Sequence, residues 1–140
     1  MRIRKYGEKV GFIRIPVSIK VVGGSDVSYE AAFLVDTGAT DSMAPASQLA
    51  RIGIKPVGKL AYELADGRVI EYEFGLAQID FMGDITAGRV IFGPDDAEPL
   101  LGVTQLESAG IVIDPRTGKL KRLPAIPLKR AVGILEASVS

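Results

Sequence analysis

The sequence predicts a mainly β domain with one or two short helices. Three observations point there. Sixteen glycines and eight prolines are spread along the 140 residues, which suits many short strands joined by tight turns. Short apolar runs alternate with turn residues from Phe12 to Leu123. One Asp-Gly pair, Asp66-Gly67, separates two strand-like runs and is a strong hairpin signal. The length suits one domain, residues 1–140, with a core over about residues 10–123.

The elements follow in order. Residues 10–22 alternate loosely, with Phe12, Ile15, Val17, Ile19 and Val21 against Arg14, Ser18 and Lys20. They predict one long strand or two shorter ones, and Pro16 marks an edge or a bend. Gly23-Gly24-Ser25-Asp26 is a turn, and Tyr29 to Val35 is the returning strand. Ser42 to Ile52 predicts a short helix, with Ser42 as N-cap, Pro45 in the first turn and Gly53 just past the end. Residues 57–64 and 68–74 form the two arms of a hairpin around Ala65-Asp66-Gly67. Leu76–Phe81 and Ala87–Phe92 are two further strands about a turn at Gly83-Asp84. Pro94 to Pro99 is an acidic loop without the alternating ligand spacing of a calcium-binding loop. Leu100-Leu101-Gly102 is a short strand. Thr104 and Glu107 fit a capping box for a helix that stops at Gly110. Ile111–Asp114 and Lys119–Leu123 are strands about Pro115-Arg116-Thr117-Gly118. The last apolar piece, Ala131 to Leu135, calls for a burial site that a partner chain would provide.

Composition excludes much common chemistry. The chain has no Cys and no His. Disulfides, thiolate nucleophiles, imidazole bases and Cys- or His-based metal sites are therefore absent from this sequence. Carboxylates, Lys and Tyr remain as acids and bases. Lys+Arg and Asp+Glu number 17 each, so charge balance offers no attraction for nucleic acid. Residues 1–9 are basic and polar, and the apolar stretch 10–22 is broken by polar residues and Pro16. It makes neither a signal-peptide core nor a membrane span. A cytoplasmic protein without metal or cofactor is expected.

The chemistry concentrates in Phe33-Leu34-Val35-Asp36-Thr37-Gly38-Ala39-Thr40. An apolar run carries Asp36 to the end of a strand, and Gly38 lets the chain turn. Two readings stand on these residues. Asp36 starts an Asx-turn, or it is an acid drawn inward that needs partners or a task. A short repeat adds context. Gln48-Leu49, then Gly53-Ile54, recurs as Gln105-Leu106, then Gly110-Ile111. Each copy follows an apolar strand ending in glycine, which suits a domain of two similar halves.

Together these stretches resemble the retropepsin-type aspartic proteases, the single-domain, dimeric branch of the pepsin-like superfamily. The likeness rests on Leu34-Val35-Asp36-Thr37-Gly38-Ala39-Thr40, on Ala65-Asp66-Gly67 as a flap tip, on Leu100-Leu101-Gly102 before a helix, and on Ile111–Asp114 with Lys119-Leu120. It covers roughly residues 10–123. It implies a closed, β-barrel-like acid-protease fold and a homodimer in which two copies of Asp36 form a dyad sharing one proton. Asp36, Thr37 and Gly38 would be the catalytic residues, Thr37 bracing the two loops across the axis. Ala39, Thr40, Ala65, Asp66, Gly67 and Leu101 would contact a peptide or protein substrate. The terminal segments would build the dimer interface. The alternative within the same fold is a non-catalytic peptide-binding or assembly module.

Overall fold

The computed structural model describes residues 12–24 and 26–128. The terminal segments expected at a dimer interface, including Ala131–Leu135, lie outside the described residues. The chain forms β1 (Arg14–Lys20), β2 (Tyr29–Val35), β3 (Ser42–Pro45), α1 (Ala46–Arg51), β4 (Gly58–Glu63), β5 (Val69–Phe81), β6 (Asp84–Gly93), β7 (Leu100–Leu101), α2 (Val103–Ser108), β8 (Ile111–Ile113) and β9 (Leu120–Arg122). The mainly β reading with two short helices holds. Neither helix is long and apolar enough to cross a membrane.

Seven strands make one sheet in the order β1-β2-β7-β3-β6-β5-β4, and β1 also pairs with β5. The pairing therefore runs from β1 through β2, β7, β3, β6 and β5 back to β1. The strands β8 and β9 form a separate pair. Arg122 anchors β9 to the main sheet through the Asp84 carboxylate and the Met82 carbonyl. The alternating inward positions fill one core, with Ile19, Phe33, Leu49, Ile79, Leu101 and Leu106 almost wholly buried. Burying each such side chain contributes about 1.5–3 kcal/mol.

The repeat has a structural counterpart. Leu49 of α1 and Leu106 of α2 are both buried. Gly53 and Gly110 end their helices at φ +93° and +71°, a left-handed conformation that favours glycine. Ile54 and Ile111 then re-enter the core.

Four local expectations change. Ser42–Pro45 is a strand, not the start of a helix, because it pairs in parallel with Val90–Gly93 and Met43 pairs with Leu100. The helix starts only after Pro45. Leu76–Phe81 and the outgoing hairpin arm are one continuous strand, β5. Gly75 within it is not a break but a close passage. A Cβ there would lie 2.7 Å from Ile54 Cγ2 and 2.8 Å from the Lys55 carbonyl oxygen. The turn before β6 falls at Met82-Gly83, both with positive φ, one residue earlier than expected. Finally, Thr104 is not the cap of α2. Gly102 takes that position without a side-chain cap. Carbonyls of the Asp36 loop replace it: Ala39 accepts from the Val103 amide at 2.8 Å and Thr40 from the Thr104 amide at 3.2 Å.

Candidate active site

Asp36 follows the last residue of β2, where the ladder has already fixed the backbone. The short strand β7 runs parallel to β2 on one side and antiparallel to β3 on the other. Its backbone takes up the end of β2: the Leu34 amide donates to Pro99 O at 2.9 Å, and the Asp36 amide to Leu101 O at 3.0 Å. The loop then closes on itself. Gly38 N–H donates to Asp36 Oδ1 at 2.9 Å, and Ala39 N–H to Asp36 O at 3.0 Å. This is the Asx-turn reading of Asp36, present in full. It does not exhaust the residue, because Asp36 is half-buried rather than enclosed and Thr37 and Gly38 beside it are exposed. A pinned backbone with an accessible carboxylate is the arrangement that preorganised chemistry needs.

The loop packs tightly on the chain that follows β7. A Cβ on Gly102 would sit 2.6 Å from the Asp41 carbonyl carbon and 2.8 Å from Thr40 O. Only glycine allows this crossing. Gly102 N–H donates to Ser42 Oγ at 2.9 Å, and Ser42 Oγ–H donates to Gln105 Oε1 at 2.7 Å. Both side chains are wholly buried, so this network ties β3 to β7 and α2 where water cannot compete.

The remaining expected residues divide. Ala39 and Thr40 lie in the same loop as Asp36 and reach α2 through their carbonyls. Leu101, expected to touch substrate, has no exposed side chain. It contributes to the site through its carbonyl, which holds the Asp36 amide. Ala65, Asp66 and Gly67 form the exposed tip of the β4–β5 hairpin. Gly67 N–H donates to Leu64 O at 2.9 Å, and Arg68 bonds both oxygens of Asp66. The Arg68 amide first, then its guanidinium, holds the exposed Asp66 carboxyl below its ordinary range. Two acids of the 94–99 loop serve structure: Asp95 accepts from the Ser47 amide at the start of α1, and Glu98 pairs with Arg14.

Three residues were not legible as site residues. Asp41 is 4% exposed, and its Oδ2 accepts from Tyr62 Oη at 2.7 Å and from Arg89 Nε at 3.0 Å. Tyr62 lies on β4 and Arg89 on β6, so the tie joins the loop, the hairpin and the sheet. Burial first, then the bond to Asp41, pushes the Tyr62 phenol up to about 12. No local pattern pointed to them, because Ser42–Ile52 reads as a helix in the sequence and the register that brings Asp41 to Arg89 is tertiary.

A family model described as "gag-polyprotein putative aspartyl protease" matches residues 27–108, from the start of β2 through α2. No curated protein matches the sequence. Among solved structures, the retroviral protease-like domain of Ddi1 from Leishmania major is 20% identical. The match covers 90% of this chain and 100% of that one, with a TM-score of 0.51. The EIAV protease complexed with the inhibitor HBY-793 is 21% identical over 77% of this chain and 95% of that one, TM-score 0.49. The simian foamy virus (mac) protease is 18% identical over 65% and 90%, TM-score 0.45.

Proposed function

Because this chain belongs to the gag-polyprotein putative aspartyl protease family and has a retropepsin-like fold, we propose that it is an aspartic endopeptidase acting as a homodimer. The observation that carries this reading is half-buried Asp36 on its pinned loop, with Thr37 and Gly38 exposed beside it. The next acid along the chain, Asp41, is committed to Arg89 and Tyr62. A second carboxylate for Asp36 comes, in this reading, from Asp36 of a second copy.

Two such carboxylates cannot both ionise easily and share one proton. The ionised one takes a proton from a water held between them, and that water adds to the scissile carbonyl. The protonated one donates to the carbonyl oxygen as it gains charge. The tetrahedral adduct then collapses, and the leaving amine takes a proton from the dyad. Thr37 braces the paired loops, and Gly38 lets its amide approach the Asp36 carboxylate. Ala39 and Thr40 line the floor beside the acid. An extended peptide adds main-chain hydrogen bonds as a strand does, with the tip Ala65-Asp66-Gly67 closing over it to exclude water.

A second reading is a peptide-binding or assembly module of the same fold without catalysis. The exposed, self-bonded ion pair of Asp66 and Arg68 at the hairpin tip favours it, because a charged tip seals a site against water less well than an apolar one. Peptide-library cleavage separates the two, with pepstatin and Asp36→Asn as controls. Cleavage lost in both controls supports the peptidase. Peptides bound but never cut support the module.

A further inference from the structure

We propose that Tyr62, Asp41 and Arg89 form a brace that sets the position of the β4–β5 hairpin relative to the Asp36 loop. The three are positioning residues, and the inference deepens the peptidase reading on which its kinetic part rests.

The need for a brace follows from the ladder. Strand β5 pairs with β6 only from Phe74 to Phe81. Residues Gly58–Glu63 and Val69–Phe74 pair with each other. Before Phe74 the hairpin is thus a two-stranded ribbon, and such ribbons are marginal in water unless something supports them.

The support is at hand on one face. Tyr62 and Tyr72 alternate inward on the two arms, with ring centroids 6.2 Å apart. Arg89 lays its guanidinium over the Phe74 ring at 5.6 Å. Both Tyr62 and Arg89 meet on the same oxygen of Asp41. A buried carboxylate without partners is costly, so Asp41 holds both tightly.

The other end of the brace is rigid. Asp41 stands between the Asp36 loop and β3, and its backbone is wedged against Gly102. The amides of Val103 and Thr104 fasten the carbonyls of Ala39 and Thr40. The ribbon is therefore tied near its tip, at the Tyr62–Ile70 pair, to a fixed point five residues from Asp36, while the turn beyond bonds within itself. A substrate then meets a ribbon already near its working position and spends less binding free energy on ordering it.

Tyr62→Phe removes one hydroxyl and keeps the ring packed on Tyr72. Hydrogen exchange on the intact protein should quicken about tenfold at amides 58–73, the size of one hydrogen bond to a charged group. The core amides of β1 and β6 should keep the parent's rates. For a cleaved peptide, KM should rise by a factor between about two and ten while kcat stays within about twofold, because the competent fraction of ribbons falls and a tenfold shift in that equilibrium sets tenfold as the ceiling. A Tyr62→Phe ribbon as protected as the parent's, or a KM left at the parent's value, overturns the proposal. If the parent cleaves no peptide, the peptidase reading falls, and the exchange rates alone judge the brace.

Discussion

Tyr62 donates to Asp41 Oδ2 at 2.7 Å across 21 positions of sequence. The bond couples a hairpin to the Asp36 loop, which shares no strand pairing with it. It also has a signature in alkali. The phenol is pushed up to about 12 from 10.0, by burial first and the Asp41 bond second. A raised value means that the folded chain keeps this proton where the unfolded chain loses it. Tyr62 therefore contributes fully below pH 10.0, and its contribution disappears as pH rises to about 12. Urea midpoints of the parent should fall more steeply than those of Tyr62→Phe across that window. Parallel curves would show that the phenol is not so held.

Asp36→Asn keeps the size of the side chain and an acceptor for the Gly38 amide. In the proposed homodimer it removes the ionisable group from both copies at once. Peptide cleavage should fall by several orders of magnitude. The thermal midpoint should hold or rise, since two facing carboxylates repel and two amides do not. A variant that cleaves at the parent's rate returns Asp36 to the role of a turn residue.

The dyad needs two chains. Sedimentation at micromolar concentration should give twice the 14.9 kDa chain mass. A protein that cleaves peptides as a strict monomer would rule out the paired-acid mechanism.

Ser42→Ala strands two buried groups, the Gly102 amide and Gln105 Oε1. Gln105 Nε2 already has no partner, so the network has no spare bond to offer. The loss should be about 2–3 kcal/mol, read from urea unfolding. A loss below about 0.5 kcal/mol, as at ordinary surface sites, would mean that water reaches the cluster.

Gly102→Ala tests the crossing beneath the Asp36 loop. The added methyl would stand 2.6 Å from the Asp41 carbonyl carbon, which is backbone and cannot swing aside. Overpacking of this kind costs about 3 kcal/mol. Since the strain falls on Asp41 and Thr40, cleavage should drop more than stability alone explains. Activity at the parent's level per folded molecule would show that the loop absorbs the shift.

Much of this molecule is legible from short windows of sequence. Phe33-Leu34-Val35 before Asp36-Thr37-Gly38 locates the strand end and the turn. Asp66-Gly67 locates the hairpin. Gly53 and Gly110 mark the helix ends, and Leu49 and Leu106 the buried positions. Each is a local preference, set by backbone sterics or by the burial of one apolar side chain, and neighbours along the chain suffice to state it. Local preference also misled where a distant partner outweighed it. Ser42 has the chemistry of an N-cap, yet the parallel ladder to β6 and the bonds to Gly102 and Gln105 draw it into a strand. Thr104 has the pattern of a capping box, yet the carbonyls of Ala39 and Thr40 reach its helix first. The brace lies wholly on the tertiary side. Asp41 and Arg89 are 48 positions apart, and nothing near either one names the other. They meet because β3 and β6 run parallel with Ser42 opposite Val90, so the residue before each comes to the same place. That register is chosen by the burial of the whole sheet, and a charge partner follows from it.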